Sequence, residues 1–178
     1  MTFRLTFRMS VGILLAASVC GQTTEEYRVK AAFLYNFAKF VEWPPRAFKG
    51  PVDPIAICIV GKDPFGPALT QAVNGKTVEG KPYSIRQIAD PQQVSGCHIL
   101  FVGASERKVM RAVLSAAHGA PVLTVGEADA FAAEGGIVNF KIESGRVRLQ
   151  INIDSAGEAG LSISSKLLGL AEIVRNRK

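Results

Sequence analysis

Six consecutive apolar residues, Ile55-Ala-Ile-Cys-Ile-Val60, constrain this chain more than any other segment. Pro54 and Gly61 bound the run, which is too short for a stable helix and rich in β-branched side chains, so it reads as a strand. Side chains of both parities are apolar, so both faces of that strand must be covered, as in a layered, largely parallel sheet. The downstream pattern agrees. Gly61–Gly66 is a loop, Pro67 suits the first turn of a helix reaching Val73, and Asn74-Gly75 end it. Tyr83–Ile88 and His98–Val102 are further strands. Ser105 is placed to cap a helix with Val109, Ala112, Val113 and Ala116 on one side and Arg107, Lys108 and Arg111 opposite. Pro121–Val125 is a fourth strand, followed by a short helical stretch over Asp129–Ala133. Gly136–Lys141 and Arg146–Ile153 flank Glu143-Ser-Gly145 as a hairpin, and Leu167, Leu168, Ala171 and Val174 share one side of a last helix capped by Ser164. The expected fold class is α/β, a three-layer α/β/α domain with a mostly parallel central sheet and a late antiparallel hairpin at one edge.

The stretch from Glu25 to Pro44 predicts an amphipathic helix. Val29, Phe33, Phe37, Phe40 and Val41 recur at helical spacing, with Arg28, Tyr35, Lys39 and Glu42 on the other side. Thr23 and Glu26 fit a capping box, and Trp43-Pro44-Pro45 ends the helix because a residue before proline is driven from the α region.

Before it lies a leader. Arg4 and Arg8 precede an apolar run, Val11–Val19, and the small or polar Cys20-Gly21-Gln22, the pattern of a secretory signal over residues 1–21. Nine apolar residues fall short of the roughly 20 that span a bilayer. Cys20 raises a lipoprotein reading, against which the branched Val19 argues. The expected product is a periplasmic single domain of residues 22–178. Its formal net charge falls from +6 to +4 with the loss of Arg4 and Arg8. The remaining cations are scattered and not interleaved with aromatics, so no nucleic-acid partner is expected.

Cys58 and Cys97 remain as an even pair in an oxidising compartment, which predicts a structural disulfide; two buried free thiols or a redox switch are the competing readings. Catalytic groupings do not assemble. His98 and His118 are the only histidines, and Cys58, Cys97 and His98 lack the local spacing of a zinc site. Gly61–Gly66 lacks a Walker ending, and no serine sits in G-x-S-x-G. A non-enzymatic protein without metal or cofactor is expected.

An ordered set of blocks resembles the YfiR-like family of bacterial periplasmic regulators. The blocks are Tyr27–Pro44, Cys58-Ile-Val-Gly-Lys-Asp-Pro-Phe-Gly66, Cys97-His-Ile-Leu-Phe-Val102, Val122-Leu-Thr-Val125 with Gly135-Gly-Ile-Val-Asn-Phe140, and Arg146 through Gly160-Leu-Ser-Ile-Ser-Ser-Lys-Leu-Leu-Gly-Leu-Ala171. The resemblance implies a repressor that engages the periplasmic portion of an inner-membrane diguanylate cyclase, lowering cyclic di-GMP and biofilm output. It also implies release by an outer-membrane, peptidoglycan-associated lipoprotein, frequent homodimers, and a disulfide at the positions matching Cys58 and Cys97. A second family disulfide nearer the C-terminus has no counterpart, because no cysteine follows Cys97.

For the partner surface, a few aromatic or aliphatic anchors are expected. Trp43, Phe140, Glu158, Leu161 and Leu168 are the candidates, with Trp43 and the Gly157–Leu168 region bordering one surface; the competing reading packs Trp43 against Phe40. The alternative function is a periplasmic small-ligand sensor feeding a membrane signalling protein, with Gly61–Gly66 and Val125–Asp129 lining a crevice at strand ends.

Overall fold

The computed structural model describes residues 18–176. Arg4, Arg8 and most of the Val11–Val19 run, on which the expected leader rests, lie outside the described residues, as does the side chain of Cys20. Among the described residues, no helix is long and apolar enough to cross a membrane.

Helix α1 (Ser18–Phe40) leads into a two-residue strand, β1 (Val41–Glu42). Then come β2 (Ile55–Val60), α2 (Pro67–Val73), β3 (Thr77–Val78), β4 (Lys81–Ile88) and β5 (Ile99–Val102). Helix α3 (Arg107–Ala117), β6 (Leu123–Gly126), β7 (Val138–Glu143) and β8 (Arg146–Asn152) follow. The chain closes with α4 (Ile153–Glu158), β9 (Ser162–Ile163), α5 (Ser165–Leu168) and β10 (Ala171–Val174). The main sheet has eight strands in the order β10-β8-β7-β6-β5-β2-β4-β3. Strands β4, β2, β5, β6 and β7 are parallel, and β8 runs antiparallel to β7. The hairpin is not the sheet margin, because β10 adds itself parallel to β8 beyond it.

Every residue of β2 is buried, and its two parities feed two cores. Ile55, Ile57 and Ile59, with Ile99, Phe101, Leu123 and Val125, pack under α1 and α2. Cys58 and Val60, with Leu100 and Val102, face α3 and Phe131. Cys58 and Cys97 are disulfide-bonded with Cα atoms 5.8 Å apart, joining β2 to the approach to β5. Arg86 of β4, in register with Cys58, donates from Nη2 to both sulfurs, at 3.4 and 3.2 Å, and to the Ser95 carbonyl at 3.2 Å.

Several expectations are corrected. Thr23 lies inside α1 rather than at its cap, since the helix begins at Ser18. The buried stripe of α1 is Lys30, Ala31, Leu34, Phe37 and Ala38, with Val41 buried just beyond it in β1; Val29 is exposed and Phe33 and Phe40 flank the contact. The small Ala31 and Ala38 let the helix approach the sheet, which the larger rings would prevent. Helix α3 is likewise turned, burying Met110, Val113, Leu114 and Ala117 and leaving Ala112 and Ala116 exposed, because the longer side chains remove more apolar area from water. Ser105 lies in the 3-10 turn Ala104–Glu106, and its hydroxyl donates to the Glu106 carboxylate instead of capping α3. Residues 129–133 form turns rather than a helix. They wedge Phe131 between two backbone segments so tightly that a Cβ at Gly126 or Gly136 would overlap its ring. Ser164 does cap a helix, accepting from the Lys166 N–H, but α5 stops at Leu168 and Ala171–Val174 is a strand. Strand β10 is pinned beyond its end: the Asn176 side chain accepts from buried Asn152 at 2.8 Å, and Asp154 accepts from the Asn176 N–H at 3.0 Å. Within the hairpin, Glu143 pairs with Arg146, and both loop residues, Ser144 and Gly145, have positive φ, the backbone a two-residue I′ turn requires.

Candidate interaction surface

Strand order reverses between β2 and β5, and in open α/β sheets the crevice at that point, beyond the strand C-termini, is where ligands bind. Here the chain fills it. The Glu106 carboxylate lies against Gly61, where any Cβ would collide with it. Lys30, 2 % exposed, reaches from α1 to pair with both Glu26 and Glu127. Glu127 also accepts from the Tyr27 hydroxyl at 3.0 Å and the Ala104 N–H at 2.8 Å. Burial and, next, the charge of Glu127 push the Tyr27 phenol well above its ordinary range. Phe65 closes the remaining side, edge-on to Tyr27 with centroids 5.5 Å apart. A hollow of about 370 Å³ beside it is lined by Thr24, Tyr27, Arg28 and Pro64–Ala68, and does not reach Val125–Asp129.

At the opposite end of the strands, β1 and β9 pair antiparallel, with Glu42 in register with Ser162. The Ser164 N–H donates to the Phe40 carbonyl at 2.8 Å, extending that seam. Trp43, the next residue after β1, therefore stands beside the segment from Gly157 to Leu168. Arg46 reaches across to Gly160, where a Cβ would come within 2.9 Å of its guanidinium.

Trp43 is half-buried, edge-on to His98 with centroids 6.3 Å apart, and its indole Nε1 is buried without a hydrogen-bond partner. His98 is itself held on both nitrogens. Its Nδ1 accepts from the Ala56 N–H and its Nε2 donates to the Ala47 carbonyl, each at 3.1 Å, while the ring stacks on Phe48. Burial lowers the His98 pKa from its ordinary value, so the neutral ring is favoured.

The remaining candidates divide. Glu158 is exposed at the end of α4 and accepts from Asn176 Nδ2 at 3.2 Å; Leu168 is half-buried on α5. Phe140, 2 % exposed, lies in the core among Phe33, Phe37 and Phe101, and Leu161 is 6 % exposed. Both are therefore core residues and are not exposed on that surface. Lys30, Glu127 and Arg86 each make several internal polar contacts and were missed. A lysine inside the 27, 30, 34, 37 stripe of α1 is the signal that could have exposed the first of them.

Among the described residues, no group of three or more His, Cys, Asp or Glu side chains could hold a metal ion. Comparison with curated proteins finds no match. A solved structure of a conserved domain protein from Vibrio cholerae O1 biovar El Tor strain N16961 superposes with a TM-score of 0.53 at 10 % identity, over 85 % of this chain and 60 % of that one. At that identity the likeness is one of fold. A family profile described as YfiR/HmsC-like, DUF4154, matches residues 27–172 of the 178. The chain belongs to the YfiR/HmsC-like family, a family of periplasmic regulators rather than catalysts.

Proposed function

We propose that this protein is a non-enzymatic periplasmic regulator that binds the periplasmic portion of a membrane-bound diguanylate cyclase and restrains it, so lowering cyclic di-GMP and biofilm output. An outer-membrane, peptidoglycan-associated lipoprotein that sequesters the regulator would release the cyclase. The family match supports the role, and the observation that carries the site is the β1–β9 seam, which sets Trp43 beside Gly157–Leu168. The exposed and half-buried members of that surface, Trp43, Arg46, Glu158, Ser162 and Leu168, mix apolar anchors with charge. Such a surface suits an interface that must also let go.

The filled crevice favours this reading over small-ligand sensing. A molecule entering between β2 and β5 would have to displace the Glu106 carboxylate and the paired Lys30 and Glu127. Copurification of the exported chain with the periplasmic portion of the cyclase tests the proposal. Wild type should retain it; Leu168→Asp and Glu158→Lys, each shown by thermal melting to be folded, should lose it. Full retention by both folded variants would remove this surface from the account.

A further inference from the structure

At the N-terminal ends of β5 and β6, the opposite end of the strands from the filled crevice, lies a second hollow of about 400 Å³. Its floor is apolar and belongs to the approaches to those strands, where Val94, Cys97 and Val122 are buried. Ala116 of α3 stands at its wall. Two exposed cations, Arg46 and Lys49, line its mouth, and among the described residues none that lines it is acidic. Neither cation takes part in an ion pair or a side-chain hydrogen bond among the described residues. The 3-10 turn Pro45–Ala47 carries Arg46, and Gly160, which has no Cβ, leaves room for its guanidinium. Asp53, the acidic residue nearest Lys49 in sequence, turns its carboxylate onto the backbone. It accepts there from the Lys49 and Gly50 N–H groups at 2.7 and 2.8 Å.

We propose that this hollow binds a small amphipathic anion, its apolar body seated on Val94, Cys97 and Val122 and its carboxylate or phosphate held between Arg46 and Lys49. Charge complementarity selects the head group. Two positive side chains at one mouth, with no counter-charge beside them, attract an anion and give it charge-assisted hydrogen bonds. The floor selects the body. Apolar walls offer nothing to a hydrated inorganic ion, whereas an alkyl or aromatic body seated there leaves water and is stabilised in proportion to the area it buries. An apolar hollow of this volume with a few converging polar groups is the usual form of a small-molecule site. The site is separate from the crevice between β2 and β5, and it stands independently of which membrane protein the regulator binds.

Calorimetric titration of the oxidised protein with octanoate and with octyl phosphate reads this directly. At least one should bind, the tighter of the two giving the head group, and octylamine, matched in chain length, should not. Arg46→Gln combined with Lys49→Gln should weaken the anion roughly tenfold or more, the worth of a lost hydrogen bond to a charged group. Ala116→Phe, at an exposed position of α3, fills the hollow and keeps both charges. It should block binding, where general attraction to a basic surface would survive it. Thermal melting checks that each variant is folded. Amide resonances of wild type, which need no variant, should shift on titration chiefly over residues 91–97 and 120–122. Failure of both anions to bind wild type, shifts confined to other residues, or binding undiminished in either folded variant would each overturn the proposal. So would inorganic phosphate binding as tightly as octyl phosphate.

Discussion

Lys30 of α1 and Glu127, the residue after β6, form an ion pair buried on both sides, with Glu26 as a second carboxylate on the same ammonium. It ties the middle of α1 to the C-terminal ends of the parallel strands and closes the crevice there. Removing one partner strands the other. Lys30→Met should cost about 3–5 kcal/mol in urea unfolding, because a buried carboxylate then loses its counter-charge. Adding Glu127→Gln to it should recover much of that loss. Equal and additive costs would show that the two residues do not act as a pair.

The disulfide closes a loop between residues 39 apart in sequence. Constraint of the unfolded chain at that length stabilises by roughly 4 kcal/mol. The Cys58→Ala, Cys97→Ala double variant should unfold at correspondingly lower urea, and in unreduced protein neither Cys58 nor Cys97 should be alkylatable by mass. Two modified cysteines in native, unreduced protein would contradict the pairing.

His98 gives the fold a pH dependence of known sign. Burial lowers its pKa in the folded state, so the unfolded chain takes up the proton first as pH falls. Stability should therefore be full above the unfolded value of about 6.5 and decline as pH drops below it. The melting temperature of His98→Gln should be lower at neutral pH but flatter across that window. An unchanged slope would assign the acid sensitivity to other groups.

Phe131 tests packing. Neither Gly126 nor Gly136 has positive φ, so an alanine at either is opposed only by the ring it would meet. Gly126→Ala should cost about 1–3 kcal/mol, as overpacked cores do. Shortening the ring with Phe131→Leu should relieve part of it in the double variant.

How much of this was legible in the sequence depends on how local each cause is. Ile55–Val60 and Pro67–Val73 match their elements because composition and a helix-starting proline decide them within a few residues. The hairpin was visible in Ser144-Gly145 for the same reason. The faces of α1 and α3 were not, since they depend on which side chains the opposing sheet accepts: a lysine with Glu127 waiting, or Met110 and Leu114 in place of alanines. Residues 171–174 have a helical apolar spacing yet form a strand, because β8 and the Asn152–Asn176 bond lie far away in sequence. Trp43 and the Gly157–Leu168 region were expected on one surface, and the β1–β9 seam sets them side by side; the burial of Phe140 and Leu161 came from tertiary packing that no local pattern encodes.

Cellular cyclic di-GMP measured after deletion of the gene, with the intact and leaderless forms returned separately, tests the regulatory account most directly. The account predicts a rise on deletion that only the exported form reverses. A level unchanged by deletion, or restored equally by the leaderless form, would contradict a periplasmic brake on a cyclase.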